Sequence, residues 1–202
     1  MCFSERNTIG MKTENYLDTE RLAKLQQRIW DVATAHGWHE QPISTAQYCG
    51  LIMTEMAEAV EADRNGRRSM DAEFKSVLTF EAANKDTYFK ACYKYYIKGS
   101  IEEEFADVVI RVLDMAQEVH GDKMRWLGYY PYGQVYQENE SFIENAWYFI
   151  REVLNWGTMN ISDCVSFMFD WAQHLGIDLW QHIEWKMKYN ELRPYKHGGK
   201  KY

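Results

Sequence analysis

Proline is scarce, with three in 202 residues at Pro42, Pro131 and Pro194. Strand-like alternation between turn signals is scarce as well, so the chain reads as all-α. The four cysteines, Cys2, Cys49, Cys92 and Cys164, are scattered with no C-x-x-C pair. That excludes a thiolate zinc site and a disulfide framework and predicts reduced thiols. No run of about 18 apolar residues occurs, and the opening MCFSERNTIGMKTENY lacks the apolar core of a signal peptide. The expectation is a soluble, cytoplasmic protein with no membrane partner. Positive charge is also short: the formal net charge is −7, which argues against a nucleic-acid polymer as partner, because such binders show a basic face. No histidine stands three residues after a glutamate, so the E-x-x-H pairs of a di-iron carboxylate bundle are missing.

What is present suffices for a core: 46% hydrophobic residues and eight tryptophans. The length suggests one domain, 1–202. Helices are expected over about 19–36, from Ser44 to about Arg64, over 71–80, 84–97, 101–120, 141–155 and 162–174, and from Asp178 to Leu192. Ser44 and Ser100 are N-cap candidates, and Gly37 and Gly121 are stops. The first dozen residues and YKHGGKKY read as loose ends, and GYYPYGQVYQENE reads as a loop.

Two helices carry acid pairs. In LIMTEMAEAVEADRNG, Leu51, Ile52, Ala59 and Ala62 fall within about 60° of Glu55 on a helical wheel, and Glu58 lies about 60° to one side, at the edge of that apolar face. A buried carboxylate without a partner costs several kcal/mol or becomes protonated, so something positive is expected to meet this pair. In IEEEFADVVIRVLDMAQEVHG, Glu104, Asp107, Arg111, Asp114 and Glu118 form a narrow charged stripe on an otherwise apolar helix. Spacing of three residues puts both carboxylates of each pair on one face, one turn apart. Packed side by side, the two helices aim four carboxylates into one space. Hard oxygen ligands of that kind suit Mg²⁺ or Mn²⁺. Late in the chain, Lys186 and Asn190 stand four apart with Arg193 three further on, a point charge, a donor and a fork of the kinds that hold phosphates.

TEMAEAVEADRNG, EEEFADVVIRVLDMA and GIDLWQHIEWKMKYNELRPYKHGGKKY together resemble the MazG-like nucleoside triphosphate pyrophosphohydrolases of the all-α NTP pyrophosphatase superfamily. The ending K-x-x-x-N-x-x-R-P-x-x-H-G is the more specific part. The similarity covers about 19–67, 100–120 and 163–200. The resemblance implies hydrolysis of a (d)NTP between its α and β phosphates, giving a monophosphate and pyrophosphate. It implies Glu55, Glu58, Glu104 and Asp107 as ligands of Mg²⁺ (or Mn²⁺), with one of them, or a metal-bound hydroxide, orienting the attacking water. Lys186, Asn190 and Arg193 would hold phosphates. Arg111 would pair with a carboxylate or reach the substrate, and Trp30 would stack on the base or belong to the core. A homodimer or dimer of dimers is implied too. The alternatives are a narrower hydrolase for dUTP, dCTP or a modified nucleotide, and a non-catalytic helical interaction protein. The chain departs from the family pattern at two insertions, about 69–99 and 122–161, which leave every hallmark residue in place.

Overall fold

The structure, a computed structural model, describes residues 17–126, 136–154 and 161–199. Among them there is no strand. The helices are α1 (Thr19–Ala35), α2 (Thr45–Arg64), α3 (Asp71–Val77), α4 (Lys85–Tyr96), α5 (Ile101–His120), α6 (Phe142–Leu154), α7 (Ile161–His174) and α8 (Leu179–Glu191). Expected and observed bounds agree closely because the caps are explicit. Asp18 accepts from the Arg21 amide at 2.9 Å, and Ser44 and Gln47 cap α2 reciprocally. Ser100 accepts from the Glu103 amide at 3.2 Å, and Asp178 from the Gln181 amide at 3.1 Å. The expected loose N-terminus, most of the tyrosine-rich loop, and Lys200 and Lys201 lie outside the described residues.

α5 is the axis of the molecule. It packs against α2, α8, α1 and α7, and α6 covers the outer side of α2. α2 and α5 run antiparallel: the Ile101 amide donates to the Arg67 carbonyl at 3.2 Å, and at the other end Arg111 meets Glu55. Phe105, Val108, Val109, Val112, Leu113 and Ala116 are all buried. At roughly 1.5–3 kcal/mol per large side chain removed from water, this seam fixes the register that sets the acidic side chains against each other.

The first insertion builds its own small core. Phe74, Phe89, Cys92, Tyr93 and Ile97 close on Trp185 and Tyr189 of α8, with Tyr93 stacked on Tyr189 at 4.5 Å and Trp185 edge-on to Phe74 at 4.9 Å. The tyrosine- and lysine-rich stretch thus packs on the bundle. Gly99 (φ +75°) turns the chain back into α5. The three described cysteines, Cys49, Cys92 and Cys164, are buried free thiols, and burial pushes Cys164 up to about 12. No helix of the described residues is long and apolar enough to cross a membrane.

Candidate metal centre and adjoining cleft

The antiparallel register brings Glu55 of α2 beside Glu104 and Asp107 of α5. One carboxylate oxygen from each lies within 4.8 Å of the others. Glu104 is 5% exposed, and its carboxylate makes no hydrogen bond or ion pair among the described residues. Burial, with Asp107 and Glu103 beside it, raises its carboxyl to about 9, against the pull of Lys186. Asp107 rises to about 6, by burial and by the charges of Glu55 and Glu103, again against Lys186.

Glu58 stands differently. It is exposed on α2, contrary to the expectation that it points with the apolar stripe, and it lies outside the three-carboxylate cluster. Its charge still reaches Glu104. The physical reason is position: at the edge of the α2 stripe, the side chain clears the α5 seam and meets water.

Lys186 sits among the acids. Its ammonium donates to Glu103 Oε1 at 2.6 Å and also pairs with Asp107. It is 4% exposed, so its donors are committed to carboxylates. Arg111 Nε donates to Glu55 Oε1 at 3.1 Å. Burial would lower both cations, but the surrounding carboxylates more than compensate and both stay charged. Asn190 has a buried side-chain oxygen without a hydrogen-bond partner. Arg193 follows the end of α8, its guanidinium 5.8 Å from the Tyr189 ring centroid. Burial lowers its pKa, while Asp107 and Glu103 pull the other way. Trp30 stacks on His39 at 3.8 Å, half-buried, and does not line the cleft described below.

Glu103 and Glu102 were missed from sequence. Burial pushes Glu103 up, but Lys186 and the Gly99 amide hold it below the usual carboxylate range. Glu102, also buried, pairs with Arg68 and accepts from the Ser69 amide at 2.9 Å. Glu102 falls between Val109 and Leu113 on the α5 wheel, so the test that singled out Glu55 would have flagged it, whereas Glu103 lies at the edge of the charged stripe beside Asp114 and Ile110 and reads there as part of it.

One turn beyond the acids, α2 and α5 form the wall of a cleft of about 460 Å³. Arg111 joins the two regions. Tyr48 and Asp114 lie at its buried end, Leu51 and Trp38 form apolar walls, and Lys196 stands at the rim. The rim is held by the C-terminal segment. Lys196 Nζ donates to Glu40 at 2.7 Å and its amide to the His36 carbonyl at 3.0 Å. Lys196 and His197 adopt left-handed φ of 41° and 51°. Gly37 permits this closure, because a Cβ there would lie 2.3 Å from the Tyr195 ring.

The donor set suits a divalent cation. It offers three hard oxygens from two rigid helices, one of them on a carboxylate buried among other acids with no cation of its own. Fold and site together define an all-α chain with a partly buried carboxylate cluster one helical turn from a cleft. No family model, no curated protein and no solved structure matches the chain.

Proposed function

We propose that this protein is a Mg²⁺-dependent nucleotide pyrophosphohydrolase that cleaves a (d)NTP to a (d)NMP and pyrophosphate. The observation that carries the reading is the convergence of Glu55, Glu104 and Asp107 within 4.8 Å, next to a cleft large enough for a nucleoside. Glu55, Glu104 and Asp107 would hold Mg²⁺ or Mn²⁺, with Glu58 alongside. The bound cation would neutralise phosphate charge and polarise the phosphoryl oxygens.

The chain's own residues supply the rest. Lys186, anchored on Glu103, pairs directly with Asp107, so the carboxylate does not swing toward solvent. Arg111 and Arg193 set positive charge beside the acids, where a triphosphate needs it. Asn190 offers an unsatisfied amide oxygen at the same end of α8. Carboxylate oxygens accept hydrogen bonds from the attacking water and orient it toward the α phosphorus. The bridging oxygen to the β phosphorus leaves with pyrophosphate. A homodimer, implied by the same resemblance, belongs to this proposal and is checked by sedimentation.

The test is a (d)NTP panel with Mg²⁺, read separately for pyrophosphate and phosphate. Pyrophosphate release is expected, with Asp107→Asn or Glu104→Gln lowering it at least about a hundredfold, since even supporting residues of a metal site cost 10–100-fold. Phosphate as the product, or unchanged activity in both variants, contradicts the assignment. A second reading is favoured by the internal pairing of Lys186 with Glu103 and Asp107 and of Arg111 with Glu55, in which the charges hold together a non-catalytic interaction protein. Calorimetry showing no heat with Mg²⁺ or nucleotide selects that reading.

A further inference from the structure

The buried end of the cleft carries polar atoms that make no hydrogen bond among the described residues. Tyr48 is 1% exposed, Asp114 is 5% exposed, and both line the cleft. The Tyr48 hydroxyl has no hydrogen-bond partner, nor has Asp114 Oδ1. His39 Nε2 stands 3.1 Å from that oxygen, at ion-pair distance but out of hydrogen-bond alignment. Buried polar groups are almost always satisfied. Asp114 has the ion-pair contact with His39 and the Arg111 charge beside it, but no hydrogen bond at Oδ1, and the Tyr48 hydroxyl has none, so a ligand that completes both recovers a burial cost. The slot runs from Arg111, which also holds Glu55, so a molecule whose phosphates lie at the acids extends its other end toward Asp114.

The chemistry of the two groups is complementary. An ionised carboxylate only accepts hydrogen bonds. Tyr48 stays a phenol, since burial and the neighbouring Asp114 charge push its ionisation upward, so it has a proton to donate. Trp38 and Leu51 give apolar walls for a ring.

We propose that this cleft reads the edge of an amino-bearing nucleobase of the cytosine or adenine type. Asp114 accepts from the exocyclic amino group, and Tyr48 donates to the adjoining unprotonated ring nitrogen. Uracil and thymine present the inverse edge. Their ring N–H lies between two carbonyl oxygens, so the Asp114 carboxylate faces at least one of them and repels it. The assignment deepens the pyrophosphohydrolase reading by naming its substrate class, and it rests on that reading for the direction in which a nucleotide enters.

The test uses dCMP and dUMP, which differ at this edge by amino against carbonyl, titrated calorimetrically into the full chain without metal. dCMP is expected to bind at least about tenfold more tightly, a modest value for a site built to hydrogen-bond its ligand. Asp114→Asn keeps the shape but offers an N–H₂ donor, and it is expected to abolish or invert that ratio. Tyr48→Phe, which keeps the ring, is expected to weaken dCMP several-fold and serves if the first variant fails to fold. Equal or tighter binding of dUMP by the unaltered protein, an unchanged ratio in Asp114→Asn, or no binding of either monophosphate at millimolar concentration overturns the inference. Triphosphate turnover is measured separately. Selective dCMP binding without turnover removes the hydrolase reading and leaves this one, whereas turnover indifferent to the base does the reverse.

Discussion

The two sides of α5 treat buried carboxylates in opposite ways. On the side facing α8 and the insertion, each acid has its cation and a backbone donor: Glu103 has Lys186 and the Gly99 amide, and Glu102 has Arg68 and the Ser69 amide. On the side facing α2, Glu104 meets Asp107 and Glu55, which are acids themselves. The first arrangement completes a fold. The second is costly to the fold unless a cation joins it, and ionisable groups pushed far from their ordinary range collect at functional sites. Adjacent residues in one helix thus shift in opposite directions, Glu103 held below the carboxylate range and Glu104 raised to about 9, and the proposed function assigns a role in the site to the second.

The comparison breaks most visibly at Lys186. Lys186→Met strands Glu103 and Asp107, and removing one partner of a buried pair costs about 3–5 kcal/mol, read as a lower midpoint in urea unfolding. Glu104→Gln goes the other way. Without metal at pH 8 it is expected to stabilise the protein by about 1–3 kcal/mol, because the neutral amide takes up no proton on folding as Glu104 must, although it remains a buried polar group, while Mg²⁺ binding is lost. A protein that gains stability as it loses its ligand shows that Glu104 serves the site.

The pH dependence sharpens the same contrast. The Glu104 carboxyl is raised from an unfolded value of about 4.3 to about 9. The native state therefore binds the extra proton between those limits. Its contribution to stability is full at the acid end and is lost as pH rises through that window. Glu103 is depressed, so its contribution is present above its unfolded value and lost as pH falls below it. Metal-free thermal unfolding followed from pH 5 to 9 should show Tm falling with a slope that Glu104→Gln flattens. The smallest effect is expected at Arg68, whose half-exposed guanidinium makes Arg68→Ala cost about 1 kcal/mol, because Glu102 keeps its amide donor.

Much of this was legible in the residues. Helical periodicity with the serine caps at Ser44 and Ser100 and the glycine stops at Gly37 and Gly121 predicted the helices to within a few residues, because such boundaries are local chemical signals. The three-residue spacing put Glu104 and Asp107 on one face, and the wheel placed Glu55 toward the interior, where the structure has them. Glu58 went the wrong way because a wheel does not show how wide the neighbouring helix is. Lys186 was expected to meet phosphate, yet its partners Glu103 and Asp107 are about eighty positions away in sequence, and such pairing follows from packing that no local pattern encodes. The cleft was invisible for the same reason: it needs Trp38, Leu51, Asp114 and Lys196 brought together by a loop and a C-terminal segment that meet only in the fold.

The measurement closest to the central claim is a Mg²⁺ titration of the full chain by calorimetry at pH 7.5, in two buffers of different ionisation heat. If Glu55, Glu104 and Asp107 hold the cation, binding releases a proton from Glu104, so the heat depends on the buffer, and Glu104→Gln loses both the binding and the proton. No Mg²⁺ heat, or equal affinity in Glu104→Gln, contradicts the account.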